Sequence, residues 1–101
     1  QAVERFVSPA GNAPDTKAVG TSNVPNVLAA NSLRTGAVIM NTGTTDISLA
    51  FGSGVAVAGS GIVLFGQGSS YEINRLNLTR LAVNAISSAV GGSLGIQEFQ
   101  I

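Results

Sequence analysis

Apolar residues along the chain fall in short runs separated by small polar ones, and the pattern changes near residue 24. From Val24 onward the runs are VPNVLAA, GAVIMN, DISLAFG, GIVLFG, SYEIN, TRLAVNAI and SLGIQEFQI, broken by Gly, Ser, Thr and Asn. Each is about the length of an average strand, ~5–6 residues, and none reaches the ~10–12 expected of a helix. Several alternate with a period of two. Ile47, Leu49 and Phe51 share a face against Ser48 and Ala50, while Tyr71 and Ile73 face away from Glu72. Leu81, Val83 and Ala85 alternate with Ala82, Asn84 and Ile86, so that strand is nearly apolar on both faces. In the last run Leu94 and Ile96 occupy even positions but Phe99 and Ile101 odd ones, which predicts a bulge near Gln97. LTRLAVNAISSAV is the one helical candidate; its alternation and its Ser and β-branched content favour a strand.

Turn signals recur every ~8–12 residues, the spacing of an all-β sandwich or barrel. Asn41-Thr42-Gly43-Thr44-Thr45 lies between two apolar runs and predicts a hairpin. The Gly91-Gly92 doublet predicts the last turn. The expected fold is therefore all-β, an antiparallel β-sandwich or jelly-roll-like barrel of about seven or eight strands. The predicted core positions are Ile39, Ile47, Leu49, Phe51, Ile62, Leu64, Tyr71, Ile73, Leu81, Val83 and Ile96.

The first quarter reads differently. Pro9, Pro14 and Pro25 lie there, and SPAGNAPDTKAVGTSNVPN keeps no sustained period. Proline cannot donate to a ladder or continue a helix, so residues 1–23 are expected to form an extended N-terminal arm with few self-contacts, preceding a β domain over 24–101. AVERFV at its start can pair as a short strand, with Val3 and Val7 on one face around Arg5.

Composition then narrows the function. The 101 residues suit one domain with one modest core. No Cys and no His are present, which removes disulfides, thiol nucleophiles, imidazole bases and the usual zinc ligands. Five basic residues balance five acidic ones, so the surplus of Lys and Arg that nucleic-acid binding needs is missing. No apolar run approaches the ~20 residues of a membrane span. QAVERFVSPAG lacks the basic-then-apolar order of a signal peptide, and a start at Gln rather than Met is expected where an initiator, tag or propeptide has been removed or where the sequence begins downstream of the natural start.

Local motifs add little chemistry. Gly52-Ser-Gly54, Gly59-Ser-Gly61 and Gly66-Gln-Gly68 stop short of G-x-G-x-x-G, since Val57, Leu64 and Tyr71 stand where the third glycine belongs. Asn77-Leu78-Thr79 fits a glycosylation acceptor with no secretion signal beside it. Of the carboxylates, Glu4 and Asp15 fall in the arm, Asp46 reads as a turn residue and Glu72 and Glu98 as strand residues, so no enzymatic activity and no cofactor or metal are expected. Arg34, Arg75 and Arg80 are the basic residues of the β domain. They read either as solubilising charge or as bidentate anchors for carboxylates at a subunit contact. A charge-poor surface of small residues is what a face covered by neighbours looks like.

Leu28-Ala29-Ala30-Asn31, followed by Arg34, leads into an apolar run Val38 to Gly43 that closes on Asn-x-Gly. An alternating run then closes on Phe51-Gly52, and a Gly/Ala/Ser loop, the run Ile62 to Phe65 and a Gly-Ser turn precede Tyr71-Glu72. Leu81 to Ile86 and Ile96 to Phe99 complete the pattern. This order resembles that of small virion proteins of tailed bacteriophages. The resemblance spans Leu28 to Phe99, leaves the arm uncovered, and implies a compact β-sandwich on the particle. It implies a capsid decoration (cement) protein that stabilises the shell, made in the host cytoplasm and carried on the virion; a small tail or fibre component is the alternative. The implied partner is the major capsid protein or another virion protein, with no nucleic acid and no membrane. Homo-oligomers are expected, a trimer first and a dimer second, with Val3, Arg5, Val7, Arg34, Arg75 and Arg80 as candidate partner contacts. A carbohydrate-binding module would share the sandwich, but such modules display exposed aromatics, and this chain has no Trp and one Tyr.

Overall fold

A computed structural model describes residues 10–101, all of them in strands, turns and loops with no helix. Val3, Arg5 and Val7 lie outside the described residues. The strands are β1 (Ala10–Gly11), β2 (Asp15–Val19), β3 (Val24–Leu28), β4 (Arg34–Asn41) and β5 (Ile47–Phe51). They continue as β6 (Ile62–Leu64), β7 (Ser70–Ile73), β8 (Val83–Ser87) and β9 (Gly92–Gln100). All pairings are antiparallel, and they make two sheets packed on one another. One sheet runs β1-β9-β4-β7, with β2 following β1 along the same edge of β9; the other runs β3-β8-β5-β6.

Alternation explains which side chains meet between the layers. Ala37, Ile39, Ile73, Leu94 and Ile96 point inward from the first sheet; Ile47, Leu49, Leu64, Val83 and Ala85 do so from the second, and all are buried. Phe51 and Tyr71 are half-buried and close one side of this core, their rings tilted at 45° with centroids 5.5 Å apart. That geometry is an attractive aromatic arrangement between the two layers. Of the predicted core, Leu81 is the exception, at 57% exposed. Its strand starts two residues later than the pattern suggests, at Val83, because Thr79 and Leu81 give their carbonyls to a buried arginine instead of to a ladder.

Two local expectations are corrected. The Asn41–Thr45 segment does not close a hairpin: β4 and β5 belong to different sheets, so the chain turns a corner between layers. Asn41, fully buried, holds that corner. Its amide donates to the carbonyls of Thr45 (2.6 Å) and Leu64 (2.9 Å) and its side-chain oxygen accepts from the Gly43 N–H (3.0 Å). The bulge expected near Gln97 lies instead across the ladder, in β4, where Arg34 faces Gln100 and Gly36 faces Phe99, with Thr35 extra. β9 keeps its alternation throughout; its inward face simply changes from apolar (Leu94, Ile96) to polar (Glu98, Gln100).

The arm expectation is also revised for residues 10–23. β2 pairs with β9 over five residues, from Asp15 opposite Ile96 to Val19 opposite Gly92, and Val19 is 1% exposed in the core. Gly92 is obligatory in that pairing, since a Cβ there would lie 2.5 Å from the Val19 carbonyl. Pro25 sits in β3, an edge strand whose register with β8 shifts around Asn26, where φ is 56°. Ile39→Ala is expected to cost about 2–5 kcal/mol, as for other buried aliphatic truncations, and Leu81→Ala to stay within about 0.5 kcal/mol. Urea unfolding of the two variants checks the inside-outside assignment; equal losses would refute it.

Candidate functional site

Arg34 stands at the end of the molecule where β4 begins, and the bulge at Thr35 decides its direction. Ala37, Ile39 and Asn41 point inward at odd positions, so an unbulged strand would turn Arg34 out. The extra residue shifts the phase and sends the side chain between the sheets, where it is 0% exposed. Four groups receive its protons. Nε donates to the Glu98 carboxylate at 2.6 Å, Nη1 to the carbonyls of Thr79 and Leu81 at 2.8 Å each, and Nη2 to the Ala29 carbonyl. The planar fork of guanidinium suits such divergent acceptors, which a lysine could not all reach.

Around this group the end of the molecule is tied by amides. Asn12 donates to Glu98 and Gln100, and Asn31 donates to Gln100. Arg80 donates through Nε to the Arg34 carbonyl at 3.0 Å while its surface remains exposed. The bulge leaves one cost behind, the buried Thr35 hydroxyl with no partner. Arg34 is therefore removed as a contact for other molecules: its side chain is fully buried and four of its five N–H protons are engaged inside this chain. Arg75 is exposed, with no ion pair among the described residues, and Arg80 is partly engaged.

The other carboxylates are dispersed. Asp46 accepts from the Gly66 N–H at a loop, Glu72 is exposed on β7, and Asp15 is exposed on the β2 edge. Asp15 titrates below the ordinary aspartate range, chiefly through its hydrogen bond to Lys17 (3.1 Å), helped by the Thr16 N–H. A depressed carboxylate supports the fold above its unfolded pKa and loses that support as pH falls through the lowered value, so this small contribution is confined to acid. No cluster of three potential metal ligands occurs among the described residues.

What remains accessible is an outer sheet face. The β3-β8-β5-β6 sheet is covered outside by its own 52–61 loop. Gly59 N–H donates to Ser48 Oγ, Asn84 donates to the carbonyls of Gly52 and Gly54, and Ala56 N–H donates to Asn23. Ser48, Asn84 and Ala56 are buried beneath or within that cover. Nothing comparable covers the β1/β2-β9-β4-β7 sheet among the described residues. Val38, Met40 and Phe99 point outward there as a ridge, flanked by open grooves of about 320 and 430 Å³ that both include Val38 and Phe99. Glu72 and Arg75 border the first groove; Pro14, Thr16 and Gln97 border the second. The sequence expectations did not include this face, yet GAVIMN carries a signal for it, being apolar at both parities. Compared with known families, curated proteins and solved structures, the chain matches none.

Replacing Arg34 by Ala is expected to destabilise by about 3–5 kcal/mol, the usual cost of stripping one partner from a buried ion pair. Arg75→Ala should fall within about 0.5 kcal/mol. Chemical denaturation of both decides the point, and similar losses would show that Arg34 does not hold its end of the molecule.

Proposed function

We propose that this chain is a structural protein of a bacteriophage particle, a jelly-roll β-sandwich that binds the capsid surface as a decoration protein and acts by covering and clamping. The observation that carries the reading is the strand order. Setting aside the two-residue β1, the eight strands β2 to β9 divide as β2-β9-β4-β7 and β3-β8-β5-β6. The chain changes sheet at every connection between them except β5–β6. That order is the double Greek key of a jelly roll, an architecture used by capsid proteins and lectins. A binding role suits a chain whose accessible feature is a sheet face.

A decoration protein binds the assembled shell more strongly than free subunits and so stabilises the shell by mass action. The reading keeps Arg75 and the exposed side of Arg80 as contacts with the capsid protein or another copy, and assigns Val3, Arg5 and Val7 to addition along a partner's strand edge. Truncation for testing that arm belongs before Ala10, because removing all of residues 1–23 would take β2 and Val19 out of the fold. Immunogold labelling of purified virions with antibody to this chain is expected to mark the head shell. Particles lacking the protein should release their genome at lower temperature, and deletion of residues 1–9 should lower occupancy. Label confined to the tail would move the protein to the fibre alternative, and unlabelled virions would end the virion reading.

A further inference from the structure

We infer that the open face of the β1/β2-β9-β4-β7 sheet is a self-complementary interface through which two copies of this chain pair about a twofold axis. The inference does not depend on the virion reading. Its basis is how the ladder distributes residues about the level where Ala37 pairs with Ile73. On one side of that level Val38 and Glu72 are direct cross-strand neighbours pointing outward. On the other side Gly36 faces Phe99 across β4 and β9, and Arg75 follows β7. Each side thus offers apolar surface, Val38 with Met40 beyond it on one and Phe99 on the other, together with one charge, and the charges are opposite.

A twofold axis lying between the molecules and crossing the strands at this level exchanges the two sides. Val38 then meets the partner's Phe99, and Glu72 meets the partner's Arg75, each contact occurring twice. Gly36 carries no side chain, so the partner's ridge has room in the groove of about 320 Å³ that Gly36 lines. Sheet faces packed this way interdigitate at ~10 Å. Neither Glu72 nor Arg75 has an ion pair among the described residues, and the net charge of zero gives two copies no overall repulsion.

A threefold arrangement would need a second, different patch to receive this one. This face carries both halves of a twofold contact itself, so it needs no second patch. The extent is adequate for a modest interface. The strand residues of this sheet, each taking up ~3.4 by ~4.8 Å, give on the order of 450 Å² in projection, at the low end beside the ~800 Å² per partner of a standard interface.

Sedimentation velocity on the full chain over a concentration series tests the inference. The expected result is reversible association to twice the 10.1 kDa chain mass. Met40→Lys and Glu72→Arg, both at exposed positions, should each weaken association at least about tenfold with thermal unfolding unchanged, a charge within or beside an apolar contact being worth roughly 1.4 kcal/mol or more. Combining Glu72→Arg with Arg75→Glu restores the opposite pairing and should recover most of the lost affinity. A monomer at the highest concentration, a trimer, or a dimer indifferent to Met40→Lys and to the charge reversals would overturn it.

Discussion

A guanidinium with no access to water is the constraint around which one end of this molecule is arranged. Burying a charge is costly unless every proton finds an acceptor and a counter-charge is near. Arg34 obtains acceptors for four of its five N–H protons, and the counter-charge, from three separated segments: the β3–β4 loop through Ala29, the β7–β8 loop through Thr79 and Leu81, and β9 through Glu98. Loops that would otherwise be held only by their ends are thereby referenced to a single point. The same requirement explains features that look unrelated. The bulge at Thr35 turns the side chain inward, β8 begins late because the carbonyls before it are engaged, and the β9 face becomes polar where it reaches the guanidinium. Asn41 performs the corresponding task at the opposite end of β4 with a neutral amide.

With both ends tied by side chains on β4, the two layers differ mainly on their outsides. The 52–61 loop satisfies the outward polar groups of one sheet, so Ser48 and Asn84 are polar yet buried. The other sheet has apolar groups pointing outward instead, and Val38 and Phe99 remain half-buried only by their neighbours. A loop that supplies backbone donors and acceptors needs polar residues beneath it; a face meant for another surface does better with apolar ones, whose burial needs no matched hydrogen bonds. The chemistry of each face thus agrees with what does, or does not, lie on it.

Much of the strand content was legible because alternation is a local property. Ile47, Leu49 and Phe51, or Tyr71 and Ile73, declare a strand and an inward face without reference to anything distant. Pairing is not local. The Asn41–Thr45 segment has the composition of a hairpin turn, but whether its flanking strands pair with each other depends on β8 and β9, far along the chain. DTKAV reads as arm for a related reason: it contributes only Val19 to the core, and the place of β2 follows from the edge of β9. Arg34 reads as surface or subunit charge in the sequence because its acceptors lie as far as 64 positions away, and no spacing rule joins them.

The break of parity between Ile96 and Phe99 shows how a correct observation can carry the wrong cause. Two apolar registers in one run suggest a bulge when only one face is supposed to be apolar. Here both faces of β9 carry apolar side chains, Leu94 and Ile96 within and Phe99 without, and the strand runs through unbroken. GAVIMN in β4 has the same double character, with Ala37 and Ile39 within and Val38 and Met40 without. These two strands are neighbours at the centre of the uncovered sheet, so their outward residues fall side by side. Double-sided apolarity in a pair of central strands is therefore better read as two buried surfaces, one filled by the opposite layer and one open to an occupant that the chain does not itself supply among the described residues.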